Sequence, residues 1–162
     1  MLKTSLLVKL HEMGISYFQQ GKPADAVAAY LEATSGLALL AERTPPGSNE
    51  NGYRTLWTFE LGEAQHAAGE EEAALSSFRR ALPLGEAYVA ASPKNLLAKE
   101  QLIGALIEFA RYAKGDEAAA ALARARLLLD DVDRDWPNDS RSHALRAAAE
   151  AAKALTTSPQ TP

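Results

Sequence analysis

One phrase occurs twice in this chain, and it constrains the fold more than any other feature. Residues 13–33 and 61–81 carry the same marks at the same offsets. A large apolar residue precedes a glycine (Met13-Gly14, Leu61-Gly62), and a second glycine follows seven residues on (Gly21, Gly69). Then come alanine, aromatic and alanine: Ala26, Tyr30 and Ala33 in one copy, Ala74, Phe78 and Ala81 in the other. A fixed internal period implies an array of like units. On a helix, positions i, i+4 and i+7 share one face. Small residues there let two helices approach closely, and the aromatic ring fills the space above them. The short joins at Gly21-Lys22 and Gly69-Glu70 turn each second helix back antiparallel to the first. One such pair leaves an apolar face uncovered, so pairs stack.

The rest of the chain reads as helix too. Ala, Leu, Glu, Lys and Arg dominate, and all favour helix. No run of alternating β-branched or aromatic residues marks a strand. The breakers Gly21, Thr44-Pro45-Pro46-Gly47, Gly69, Ser92-Pro93, Gly115-Asp116 and Trp136-Pro137-Asn138-Asp139 divide the chain into seven helical segments. Pro23 suits the first turn of the second helix, where its missing N–H costs nothing. Ser92 reads as a cap and Pro93 as the first residue of the fifth helix. Pro83 falls inside the fourth helix and predicts a kink near Arg79–Pro83. The expected fold is all-α, an α-solenoid of antiparallel helix pairs. Pairs span about 2–43, 52–91 and 94–135, a capping helix spans 140–155, and together they form one helical domain over 1–155. Residues 156–162 are polar, contain proline and read as a flexible tail.

Bulk properties exclude several classes of function. A net charge of −4 offers no phosphate-binding surface at the scale of the whole chain, so nucleic acid is not an expected partner. With no cysteine there is no disulfide, thiolate metal site or cysteine nucleophile, a usage that fits a reducing cytoplasm. Lys9 and His11 break the N-terminal apolar run too early for a signal peptide. No stretch reads as long enough to span a bilayer, the longest apolar patch being Leu37–Ala41. The expectation is a cytoplasmic protein that does not enter membranes.

The duplicated phrase resembles the tetratricopeptide repeat. That family's signature runs large-x-x-Leu-Gly-x-x-Tyr, then Gly, Ala, aromatic, Ala and Pro. The first copy matches at Leu10, Met13, Gly14, Tyr17, Gly21, Ala26, Tyr30 and Ala33. The second matches at Leu61, Gly62, Gly69, Ala74, Phe78 and Ala81, with Thr58 and Gln65 where a large residue and an aromatic belong. A third copy is degraded. Ile103, Gly104 and Ile107 fit, but the next glycine, Gly115, comes eleven residues after Gly104, and a register anchored on Gly115 fits almost as well. The spacing is 48 residues from Gly14 to Gly62 and 42 from Gly62 to Gly104. The family's usual period is about 34, so the chain resembles its long-repeat variants.

What the resemblance implies is a groove lined by the first helix of each pair. By register those positions are Val8, His11, Ile15 and Phe18, then Leu56, Phe59, Glu63 and His66, then Ala105, Phe109 and Tyr112. The places of the two-carboxylate clamp of chaperone-binding members hold His11, Ile15, Glu60, Leu102 and Leu106, so an acidic C-terminal tail is not the expected ligand. An apolar wall suits an amphipathic helix or an extended apolar peptide. Two other readings stay open: the chain's own side chains fill the wall, or a second copy covers it in a homodimer.

Constellations for chemistry are lacking. His11, His66 and His143 have no metal-ligand partner at i+3 or i+4. Asp131, Asp133 and Asp135 imitate the start of a calcium loop but have Trp136 where glycine is required and Ser142 where glutamate is required. They oppose the helix dipole, with Arg134 and Arg141 as candidate compensators. No catalytic residue, metal or cofactor is expected. The expected function is a non-enzymatic scaffold or adaptor for a protein or peptide partner. The alternative is a regulatory or dimerisation module of a larger signalling or transcription-regulatory protein.

Overall fold

A computed structural model describes residues 2–157. They form seven helices and no strand: α1 (Leu2–Gln19), α2 (Pro23–Ala41), α3 (Asn49–Ala67), α4 (Glu71–Ala91), α5 (Leu96–Tyr112), α6 (Asp116–Asp135) and α7 (Ser140–Thr157). The chain divides into two compact units, Met1–Ala91 and Ser92–Pro162.

In the first unit α1 packs on α2, α2 on α3, and α3 on α4. The duplicated phrase explains both hairpins. Each first helix ends on a glycine with positive φ, Gly21 at 70° and Gly69 at 81°. Around each, the same two hydrogen bonds close the turn. The Gly21 N–H donates to the Phe18 carbonyl and Lys22 N–H to Tyr17; Gly69 N–H donates to His66 and Glu70 N–H to Gln65. This is the Schellman stop, which favours glycine because its left-handed residue carries no Cβ. Past the turn, Gly14 lies under the Tyr30 ring and Gly62 under the Phe78 ring, so close that a Cβ would sit 2.7 Å and 2.5 Å from ring carbons. Two further glycines do the same work at the far end of each hairpin. Gly36 of α2 receives the Leu7 side chain, and Gly52 of α3 receives Tyr88 of α4. Residue 14 facing 30 while 7 faces 36, and 62 facing 78 while 52 faces 88, fixes both hairpins as antiparallel.

Between the hairpins, Val27 and Tyr30 of α2 join Leu61 and Ala64 of α3 in one buried cluster. Ala33 and Leu37 join Trp57, with Leu7 beneath, in a second. These contacts correct one reading of the sequence. Helix α2 is long and apolar enough to cross a membrane by length and composition, with a mean hydropathy of 1.2. Here Val27, Tyr30, Ala33 and Leu37 are buried against α1 and α3, while Leu31 and Leu39 stay exposed.

In the second unit α5, α6 and α7 each pack on the other two. The alanine–large–alanine spacing returns as Ala118, Leu122 and Ala125, all buried. With leucine in place of a ring, α5 has no glycine under an aromatic: a Cβ on Gly104 would meet nothing within 4 Å.

Boundaries differ most from expectation at α3, α5 and α7. Helix α3 starts at Asn49, three residues before Gly52, because the Ser48 turn already bonds back to the Pro45 carbonyl. Helix α5 is capped not by Ser92 but by Asn95, whose side chain accepts the Ala98 N–H at 3.1 Å. Pro83 lies inside α4, as its place in the fourth segment implied, and is exposed. Helix α7 continues to Thr157, into the span expected as tail; residues 158–162 of that span lie outside the described residues.

Candidate functional site

The expected wall residues of α1 and α3 fall into distinct environments. His11 is buried, stacked at 4.4 Å on the Trp57 ring, and its Nε2 lies 2.5 Å from Glu60 Oε2. Tyr53 extends the stack beyond Trp57 at 5.7 Å. Tyr30 tilts against His11 with ring centroids 5.5 Å apart. Its phenol is held above its ordinary pKa by burial first, then by the charges of Glu60 and Glu63. Val8 and Leu56 pack on the Leu37–Trp57 cluster, and Ile15 on the Val27–Leu61 cluster. Phe59 is only 6% exposed and leans on Phe78, ring centroids 4.7 Å apart. Glu63 is half-buried. His66 is exposed and its Nδ1 meets Glu71 Oε2 at 2.8 Å. Phe18 keeps 40% of its surface in solvent.

On α5 of the second unit, Ala105 and Phe109 are buried and Tyr112 is half-buried. The structure therefore joins His11 to the α3 ladder through Glu60 and Trp57, and it seats Phe59 and Phe109 inside their own units. Of the eleven expected positions, Phe18 and His66 stand exposed.

Sequence reasoning missed the partners of His11. Glu60 and Trp57 sit three residues apart on α3 and were legible as neighbours on one helix face. Nothing local indicated that His11 would reach across to them. It also missed the clamp on the α6–α7 turn. Lys99 and Glu100 are buried side by side at the start of α5. Lys99 Nζ lies 3.5 Å from Asp135 Oδ2 and 5.1 Å over the Trp136 ring. Glu100 meets Arg141 at 3.4 Å. Burial holds the Glu100 carboxyl above its usual pKa, against the pull of Arg141 and with Asp139 adding to the rise.

The acidic run at the end of α6 is bound up internally. Asp131 pairs with Arg134, and Arg146 reaches Asp130 at 3.0 Å and Asp133 at 2.6 Å. Arg146, rather than the expected Arg141, answers these acids. Among the described residues no group of three or more His, Cys, Asp or Glu is placed to hold a metal ion.

An apolar concavity of the first unit lies elsewhere. Leu6 and Leu7 of α1 and Gly36, Leu39 and Leu40 of α2 line a cavity of about 330 Å³. Glu42 and Arg43 stand at its rim. Gly36, lacking a side chain, leaves the floor to Leu7. Leu6 and Leu39 remain 59% and 67% exposed beside it. Comparison with models of known families and with curated proteins returns no match for this chain.

Proposed function

We propose that this chain is a non-enzymatic scaffold of the tetratricopeptide type that receives an apolar segment of a protein partner. The observation that carries the proposal is the cavity on the first hairpin. A volume of about 330 Å³ lies at the lower end of the range of ligand pockets, roughly 300–1,000 Å³. Its walls include four leucine side chains, and two of those leucines, Leu6 and Leu39, keep more than half of their surface in water. Large apolar side chains left exposed around a concavity favour association. Glu42 and Arg43 give the rim one charge of each sign, which orients a peptide more than it strengthens binding. His11 is engaged with Glu60, and Arg146 with Asp130 and Asp133, which supports a binding role over a catalytic one for those groups.

The exposure of Leu6 and Leu39 equally favours a second copy of the chain as the occupant, the dimerisation reading. One experiment separates the two. A photo-reactive amino acid placed at Leu39 and activated in the native host should give an adduct with a different protein, lost when Leu6→Asp is added. An adduct of twice the chain's own mass would establish the dimer instead. No adduct of either kind would end both readings.

A further inference from the structure

We propose that the cleft where α2, α3 and α4 meet binds a phosphate monoester carried on a small apolar body. Three helices each send one stripe of side chains into it. Helix α2 supplies Leu31, Thr34, Ser35 and Ala38, α3 supplies Arg54 and Thr58, and α4 supplies Arg80 and Leu84. Apart from the neighbours Thr34 and Ser35, the residues of each set are three, four or seven apart and so share one face of their helix. No residue of α1 takes part, and the cleft is separate from the leucine cavity.

The charge is one-sided. Two guanidinium groups line the cleft and no carboxylate does. Arg54 has one contact, Nη1 to the Asn51 side-chain oxygen at 3.5 Å, the limit of a hydrogen bond. Arg80 makes no hydrogen bond or ion pair with any described residue. In a chain of net charge −4, two arginines left without an acid in one concavity form a local site of the opposite sign. Arginine is suited to it, because its planar fork matches phosphate oxygens two at a time.

The hydroxyls decide between anions. Thr34 spends its proton on the Tyr30 carbonyl at 2.7 Å, but Ser35 and Thr58 have no such bond among the described residues. Two guanidiniums and two hydroxyl donors exceed what a single carboxylate can accept and suit a dianion with three terminal oxygens. Leu31, Ala38 and Leu84 give the ester's body an apolar rest. A volume of about 210 Å³ fits one such group and is too small for a drug-sized ligand.

Phenyl phosphate is the probe. Titrated into the full chain and followed by amide chemical shifts, it should bind saturably, with the largest shifts at Ser35, Thr58 and Arg80. Arg54→Gln and Arg80→Gln should each weaken binding by about tenfold or more, the loss expected for a charged hydrogen-bonding partner. Arg43→Gln, on the other cavity, should leave it unchanged. Both cleft arginines are surface-accessible, and matched melting curves would show that the variants fold. Inorganic phosphate and a phosphopeptide with an apolar residue beside the phosphate complete the series. Tighter binding of the peptide would identify a modified protein as the source, and tighter binding of phenyl phosphate a small ester. Benzoate binding as well as phenyl phosphate, binding that survives both arginine substitutions, or no saturation with any phosphate would each overturn the proposal.

Discussion

Gly62 is inside a helix, where glycine costs up to about 1 kcal/mol relative to alanine. It is retained against that cost because the Phe78 ring occupies the space a Cβ would need. Phe78 is fully buried and held in turn by Phe59, so the ring has little room to retreat. Gly62→Ala should therefore destabilise the fold by about 1–3 kcal/mol, the range for overpacking. Gly104 is the control supplied by the same chain. It too is inside a helix, yet its added Cβ would meet nothing within 4 Å. Gly104→Ala should stabilise by about 0.5–1 kcal/mol through helix propensity and a less flexible unfolded chain. Denaturant melts of the two variants should thus shift in opposite directions. Equal shifts of one sign would show that ring-over-glycine packing does not hold the second hairpin. At this scale the sequence was largely legible. Gly14, Gly62, Tyr30 and Phe78 announced their contacts by recurring at one offset. Gly36 and Gly52 were not legible, because their partners, Leu7 and Tyr88, follow no common spacing. Gly104 looked like a third anchor because Ile103 precedes it and Ile107 follows at the repeat's offset.

At the scale of the element, the joint between α6 and α7 shows how a helix end is held by charge. Asp139 caps α7 by accepting the Ser142 N–H at 2.6 Å. Ser142 in turn donates its hydroxyl to Asp133 at 3.0 Å, and Arg146 joins Asp133 at 2.6 Å. The hydrogen bond from Arg146 is the largest influence on the Asp133 carboxyl and holds it below its ordinary pKa; burial opposes this and Ser142 reinforces it. A lowered folded pKa means stabilisation that is complete above the ordinary aspartate range and is lost as pH falls through the folded value. Asp133→Asn should therefore lower the melting temperature at neutral pH, and the gap to the parent protein should close on acidification below the ordinary aspartate pKa. A gap of constant size from neutral to acidic pH would remove ionic pairing as the reason. The helices themselves were readable from glycine, proline and composition, which act within a few residues. Their faces were harder. Periodicity placed Phe59 and Phe109 on a common stripe with Phe18, but it says nothing of which neighbour covers each part of the stripe. Phe59 found Phe78, whereas Phe18, next to last in its helix, found solvent. The Asn95 cap was overlooked because Ser92-Pro93 offered the stronger local signal three residues earlier.

At the scale of the molecule, the repeat offset lets one helix serve as a template for another. On α3, Trp57, Leu61 and Ala64 face α2 and are buried. The residues 48 positions earlier on α1 are Lys9, Met13 and Ser16, and all three are exposed. The face that on α3 accepts a neighbouring hairpin thus carries a lysine, a methionine and a serine on α1 and stands exposed. The first unit is closed in this sense: its two hairpins supply each other's apolar cover through α2 and α3. Every helix in it has its principal contacts within residues 1–91. Its core includes Leu37, Leu61 and Phe78, fully buried, and its size exceeds the roughly 55–65 residues at which many domains already fold alone. A protein comprising residues 1–91 should therefore fold by itself, with helical circular dichroism and a cooperative melt. Gly62→Ala in that shorter chain should cost what it costs in the full one, because both partners of the contact are present. Broad, non-cooperative melting of the 1–91 protein would mean that two hairpins are not a sufficient stack.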